Sequence, residues 1–554
     1  MWFDRDVARF DLDRRQLLKT AAGLGLLALT PLGLSTPVWS KPVFARYPFS
    51  LGVASGDPSA GGAVIWTRLA PEPLEGGGMP MKAVEVGWEV AADERMRQVV
   101  KKGSAIAAPE LGHSVHVELD GLEPGREYWY RFIAGDEASQ VGRLKTAPSV
   151  GASVDRINFA LCGCQHYETG YFTAYQHLAG ERPDFVFHSG DYIYESRADG
   201  AARAGRVRQH NGDEIYTLVD YRNRYALYKS DPDLMAAHIA APFIVTWDDH
   251  EVDNNWTGER DQDGTDPELF LLRRAAAFQA WYENMPVRRT QMPRGPDLRL
   301  YRSLSFGNLI DFHALDTRQY RSDQACGDRT LVGCEEAKDP ARTVLGSGQE
   351  RWLDEQLARS RATWTVLGQQ VPIYMIDLDG RTKDRRLIMD KWDGYQSARD
   401  RLNISLKGHG LRNAVALSGD MHHHCAAELK ESYDDPASAT LGVEFTNTSI
   451  SSNGDGSEVA EAWEGMKADN PHIKYHSARR GYVSFEVTSN RWNARFMVLD
   501  KVTEPGHPAR VGGNFVVEAG KPALQIADPR INGCDVQDRH VAVVYQTLFV
   551  DIRH

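Results

Sequence analysis

The sequence predicts an α/β fold with an all-β domain in front of it. Three observations carry that expectation. Short strand-like pieces separated by turns fill Tyr47 to Thr146, and a stretch rich in Pro, Ser and Gly runs from Lys145 to Ser153. Beyond it, apolar strands alternate with longer helical stretches to about Asp500. At 554 residues, 42% hydrophobic and 25% charged, the chain can bury a large core and divide into two or three parts.

In chain order the first element, residues 1–45, reads as a leader. Asp13-Arg14-Arg15-Gln16-Leu17-Leu18-Lys19 precedes a mildly apolar run, Ala21 to Leu34, too short to span a bilayer. A twin arginine before such a run resembles a Tat export signal, with small-residue cleavage sites near Val38-Trp39-Ser40 and Val43-Phe44-Ala45. The expected partner is the Tat machinery and the expected location periplasmic or extracellular. No later segment reads as membrane-spanning, so no stable membrane insertion is expected.

Residues 46–148 form the expected all-β domain. Its most informative piece is Leu122-Glu123-Pro124-Gly125-Arg126-Glu127-Tyr128-Trp129-Tyr130-Arg131-Phe132. Alternating aromatics after a Leu-x-Pro-Gly corner resemble the tyrosine-bearing strand of fibronectin type III sandwiches. Residues 150–500 form the α/β domain, with helical patterns over Tyr221 to Met235 and Pro267 to Glu283. Residues 501–554 read as an appendage.

The net charge of -12 argues against nucleic-acid binding, which needs clustered Lys and Arg to displace counterions. Six cysteines in a chain of this size are no disulfide scaffold. Cys326 and Cys334, eight apart in a polar stretch, could close a loop in an oxidising compartment. Cys162 reads as core, while Cys425 and Cys534 are left open between free, paired and buried.

Four segments of the α/β domain share one design. Ile157 to Leu161 leads into Cys162-Gly163-Cys164-Gln165, and Asp184 to His188 into Ser189-Gly190-Asp191-Tyr192-Ile193-Tyr194-Glu195. Phe243 to Trp247 leads into Asp248-Asp249-His250-Glu251, and Ala414 to Leu417 into Ser418-Gly419-Asp420-Met421-His422. Each is a buried-type strand with ionisable or metal-binding groups at its carboxyl end. Carboxylates gathered at one end of a sheet repel each other unless a cation or proton compensates them, and metal ions are the natural answer. Thiolate, phenolate and imidazole suit a transition metal, and the surplus oxygens suit a hard ion such as calcium or magnesium.

The ordered motifs Gly-Cys-Gln, Gly-Asp-Tyr-Ile-Tyr-Glu, Asp-Asp-His-Glu-Val-Asp-Asn-Asn and Ser-Gly-Asp-Met-His are similar to those of the PhoD-like alkaline phosphatases, within the wider calcineurin-like and purple acid phosphatase group. The resemblance implies a calcineurin-like metallophosphoesterase β-sandwich flanked by helices. It implies a hydrolase acting on phosphomonoesters, phosphodiesters or both, with Fe3+ and Ca2+ as cofactors. Asp191 would bridge the metals, Cys164 and Tyr194 would bind the ferric ion, and Asp249 would be a further ligand. Asp420 and His422 match the wider group's last motif, with Asp in place of its first His, which favours a hard cation. His250 falls at the catalytic His. The implied mechanism is in-line attack by a metal-bound hydroxide, without a covalent phosphoenzyme, with His250 stabilising the transition state or protonating the leaving oxygen.

Four residues are weaker candidates. Asp248 either binds metal or braces Asp249 and His250, and Asn255 either reaches metal or phosphate or shapes a turn. Gln369 reads as an outer support where the wider group places a His. Arg318 either pairs with Asp316 or holds substrate phosphate. His423 and His424 cannot point at the same ion as His422, since successive side chains diverge. Rival phosphatase chemistry fails: no nucleophilic Ser stands within Asp-Ser-Ala, and His472-Ile473-Lys474 has Arg479 where an Asp is needed. The alternative of another class is a cell-surface binding protein with a degenerate phosphoesterase domain.

Overall fold

The computed structural model describes residues 41–198, 205–378, 384–460 and 462–527. The leader expected over 1–45 and Cys534 lie wholly or almost wholly outside them.

Five strands position the candidate residues: β1 (Ile157–Cys162), β2 (Phe185–His188), β3 (Phe243–Val245), β4 (Trp364–Gly368) and β5 (Ala414–Ser418). A sixth, β6 (Thr440–Thr446), neighbours β5. β1, β2 and β3 are parallel neighbours in a ten-stranded sheet. β4, β5 and β6 are parallel neighbours in a seven-stranded sheet. Parallel neighbours end on the same edge, so each sheet delivers its carboxyl-end turns to one side.

Alternation along the strands sorts their side chains into layers. Phe159 and Leu161 of β1, Phe185 and Phe187 of β2, Val366 of β4 and Val415 and Leu417 of β5 share one buried cluster, so the two sheets pack face to face. Phe185 stacks on Phe306 at 4.5 Å and Phe187 meets Phe312 edge-on at 5.1 Å. The opposite faces bury Ala160 and Cys162 under Leu218–Lys229 and Pro267–Asn284, and Leu367 and Ala416 under Gly346–Arg359 and Gln396–Gly408. The molecule is therefore a mixed α/β structure with helices outside two apposed sheets.

The helical stretch predicted over Tyr221 to Met235 is two helices, Leu218–Lys229 and Pro232–Ala240. Pro232 has no N–H to continue the ladder, and Asp231 caps the second helix by accepting from the amides of Asp233 and Leu234.

The ten-stranded sheet crosses the linker. Val53–Ser59, Gly62–Arg68 and Ser114–Glu118 extend it beyond β3, while Val84–Ala91, Val99–Ala107 and Glu127–Ala134 form a separate sheet. Between them, Ile65 and Val117 pack with Val86, Tyr130 and Phe132. The Tyr128 hydroxyl accepts the Glu123 amide at 3.0 Å, tying the strand to its Pro-Gly corner. The described part of 501–554 adds Ala509–Glu518 and Lys521–Ile526 to the other edge of the same sheet. Cys326 and Cys334 are joined by a disulfide, and Cys425 is buried and free.

Candidate metal centre

At the carboxyl ends of β1, β2 and β5 the chain makes three short turns, each with a glycine followed by a residue in the left-handed region. Cys164 (φ 56°), Asp191 (φ 56°) and Asp420 (φ 65°) occupy those positions, and His422 (φ 55°) repeats the conformation. Side chains other than glycine seldom sit there, at roughly 1–3 kcal/mol each, and such residues concentrate at functional sites. Gly190 shows why the turns need glycine: with φ 125°, any Cβ on it would lie 2.5 Å from the Asp248 backbone nitrogen. The turns are tied together, Cys164 N donating to Gly190 O at 3.0 Å and Gln165 N to Asp191 O at 3.1 Å.

This arrangement brings the predicted residues together. One donor atom each from Cys164, Asp191 and His422 lies within 4.8 Å of the others, and the same holds for Asp191, Asp249 and His250, and for Asp248, Asp249 and Asp420. The Tyr194 hydroxyl is 2.9 Å from Asp191 Oδ2 and 3.2 Å from His422 Nε2. All are buried except His250, Asp420 and His422, which are half-buried. The carboxylates of Asp191 and Asp249 are therefore shared between neighbouring groups.

Burial pushes the Asp191 carboxyl up to about 7, with His250 opposing and Asp249 and Asp420 reinforcing the shift. Burial and then the charge of Asp191 hold the Cys164 thiol and the Tyr194 phenol well above their ordinary ranges. Burial, helped by Arg480, lowers His422 to about 3, so it is a neutral imidazole. Burial works against charge on His250, but Glu195, Asp249 and Asp191 outweigh it and favour the imidazolium.

Asp191 Oδ1 is buried without a hydrogen-bond donor among the described residues. An orphaned carboxylate oxygen costs free energy unless something occupies it. With a thiol, a phenol and a neutral imidazole beside it, the donor set fits a metal ion, which would displace the protons from sulfur and phenol oxygen. The Asp248, Asp249 and Asp420 side differs, because it carries cations of its own. Arg318 is fully buried and reaches Asp248 at 2.5 Å, Asp390 at 3.0 Å, Asp420 at 3.4 Å and Asp249 at 3.6 Å. Lys391 pairs with Asp390 at 2.9 Å and also with Asp420.

The weaker candidates separate here. Asp248 is bound by Arg318 and by Glu251, which accepts the amides of Asp248 and Tyr192 at 2.8 and 2.6 Å and so joins two turns. The Arg318 guanidinium faces four carboxylates other than Asp316, whose Oδ1 instead accepts the Arg318 backbone N–H at 3.0 Å. Asn255 turns its amide to Asp328 and donates its backbone N–H to Asp249 Oδ2 at 2.9 Å. Gln369 lies apart, bonding Glu444 and the Trp392 indole. His423 pairs with His476 at 3.1 Å, and His424 is fully buried.

Sequence reading missed Glu195, whose Oε2 is 2.7 Å from His250 Nδ1, although it ends the quoted Asp191 motif. It also missed Asp390 and Lys391, which follow only a three-residue strand, Arg386–Ile388, without the glycine turn of the other motifs, and the polar loop after β6.

Comparison with known proteins agrees with this geometry. A family model described as PhoD-like phosphatase matches residues 159–496, and one for the N-terminal domain of that family matches 35–148. The chain belongs to the PhoD-like phosphatase family. Alkaline phosphatase D of Bacillus subtilis is 47% identical over 521 residues, covering 93% of this chain and 89% of that protein. A solved structure of PhoD is 48% identical and superposes with a TM-score of 0.86, covering 88% of this chain and 93% of that one. PhoD-like phosphatases are metal-dependent, in keeping with the three donor groups described above.

Proposed function

We propose that the chain is an exported, metal-dependent phosphoesterase that hydrolyses phosphomonoesters, phosphodiesters or both without a covalent phosphoenzyme. As a PhoD-like phosphatase it is a phosphoesterase, a hydrolase of phosphate esters. The observation that carries the metal reading is the buried, unpartnered Asp191 Oδ1 among Cys164, Tyr194 and His422. In this reading Cys164, Asp191, Tyr194 and His422 would hold Fe3+, and Asp249 and Asp420, together with Asp191, would offer oxygens to Ca2+. Bound metals supply a nucleophilic water at neutral pH and neutralise charge on the phosphoryl oxygens.

The chain's own groups do the rest. Arg318 and Lys391 hold Asp248, Asp390 and Asp420 in place and limit their repulsion. His250, held as imidazolium by Glu195, carries a proton for the departing ester oxygen. Its ring stacks on Tyr194 at 4.1 Å, which fixes its plane.

The apposed sheets with parallel centres support a calcineurin-like sandwich, and the Tyr128 tie at the Pro-Gly corner supports a fibronectin III-like N-terminal fold. Export by the Tat route rests on Arg14-Arg15 and the apolar run behind them. Among the described residues no helix is long and apolar enough to cross a membrane.

Asp191→Asn tests the centre. Hydrolysis of a monoester and a diester should both fall about a thousandfold, at roughly 1.4 kcal/mol per tenfold, and unchanged rates on both would overturn the proposal. Elemental analysis should find iron with calcium and the protein should be coloured; zinc alone in a colourless protein would reassign the metals.

A further inference from the structure

Residues 447–453, Asn-Thr-Ser-Ile-Ser-Ser-Asn, follow β6 and contain no titratable side chain. They nevertheless touch three candidate ligands. Asn453 Nδ2 lies 2.9 Å from His422 Nδ1, Ser452 N donates to Cys164 O at 3.4 Å, and Ser452 Oγ lies 2.7 Å from the Tyr194 oxygen. Ser452 is 1% exposed, so water does not compete for its hydroxyl.

A hydroxyl has one proton to give and two lone pairs to offer. At Ser452 one lone pair takes the His166 amide at 3.1 Å. The Cys164 carbonyl, 2.8 Å away, can only accept, so it takes the Ser452 proton. A neutral Tyr194 then donates, either to the remaining lone pair of Ser452 or to Asp191 Oδ2 at 2.9 Å. Once Tyr194 becomes a phenolate, two oxygens 2.7 Å apart would face each other without a proton between them. The Ser452 proton resolves this by rotating from one acceptor to the other. Cys164 O keeps the Ser452 backbone N–H as a second donor, so it is not orphaned.

We propose that Ser452 is a positioning residue for Tyr194, turning its single hydroxyl proton from the Cys164 carbonyl to the Tyr194 oxygen when the phenol is deprotonated. No covalent bond forms or breaks on Ser452; the Tyr194 phenol proton would be released to solvent as the metal replaces it, and the serine proton only changes acceptor. The inference rests on Tyr194 being a metal ligand. A hydrogen bond given to a bound phenolate lowers its donor orbitals and raises the energy of its charge transfer to a ferric ion.

The experiment compares visible spectra of the iron-loaded full chain as wild type, Ser452→Ala, Ser452→Thr, Ser452→Val and Tyr194→Phe. The wild type and Ser452→Thr should share one band, and Ser452→Ala and Ser452→Val should show it at longer wavelength. Chelator competition should show iron held about 10- to 100-fold more weakly in Ser452→Ala and Ser452→Val. Thr and Val have equal shape, so their difference isolates the hydroxyl even if Ser452→Ala loads poorly. A Ser452→Ala or Ser452→Val band at the wild-type wavelength, or a displaced Ser452→Thr band, overturns the role of Ser452 while Tyr194 ligation stands. Because a Cys164 thiolate would give a band of its own, the decisive result is a Tyr194→Phe spectrum unchanged from wild type, which, like a colourless wild type, overturns Tyr194 ligation and this inference with it.

Discussion

His250 has two ring nitrogens, and one of them, Nδ1, is 2.7 Å from Glu195 Oε2. A carboxylate there fixes the ring's tautomer and orientation, leaving the other nitrogen to act on substrate. Glu195→Gln keeps the size and removes the charge. If His250 protonates the leaving oxygen, the loss should depend on how much help that oxygen needs. We expect hydrolysis of an alkyl phosphodiester to fall about a hundredfold and that of a nitrophenyl ester to fall much less; equal losses would make Glu195 merely structural. A second residue carries a pH dependence. Lys229 is buried with its ammonium 4.2 Å over the Trp66 ring, and burial, then Arg68, lowers it from 10.5 to about 7. Between pH 7 and 10.5 the unfolded chain holds a proton that the folded chain has lost, so stability rises with pH across that window. Below 7 both states are charged and the full penalty of burying the ammonium remains. Lys229→Met should therefore raise the melting temperature more at pH 6 than at pH 9. Glu195 was within reach of sequence reading, since it ends a motif already singled out. Lys229 was not, because its burial depends on Trp66, far away in the chain.

At the scale of elements, what the sequence revealed most clearly was the strand that ends in chemistry. Apart from the exposed Asn158 near the start of β1, β1, β2 and β5 are buried on both faces and so read as largely apolar runs, with the change to Gly and an ionisable residue marking where each one stops. The partners of those ends were harder to read. Arg318 sits among four carboxylates that come from three other parts of the chain, and no local spacing encodes that meeting. The Asn447–Asn453 loop looks like an ordinary polar turn until Tyr194 is placed against it. The turns themselves are testable. Gly190→Ala would bring a Cβ to 2.5 Å from the Asp248 backbone and impose a φ of 125° on alanine. The expected loss is on the order of 1–3 kcal/mol in urea unfolding, with weaker metal retention because Asp191 is the next residue. A full-stability Gly190→Ala would show that the turn can relax.

Across the whole molecule, the N-terminal part is built into the catalytic sheet. Val53–Ser59 pairs with β3, and Gly62–Arg68 and Ser114–Glu118 continue outward from it. A chain beginning at residue 150 would expose the β3 edge and strip the apolar cover from its flank, so it should aggregate or elute as large species on size exclusion. A soluble, active fragment would refute that dependence. The same architecture has a consequence for how the protein matures. The candidate ligands run from Cys164 to His422 and lie on turns of both sheets, so the groups Cys164, Asp191, His422 and Asp248, Asp249, Asp420 cannot close until the segment carrying Asp420 and His422 has been made. Closing contacts between residues so far apart is the slow part of folding. If the proposed iron centre forms, metal uptake would record the final closure of the two sheets, and colour appearing during refolding would time that step directly.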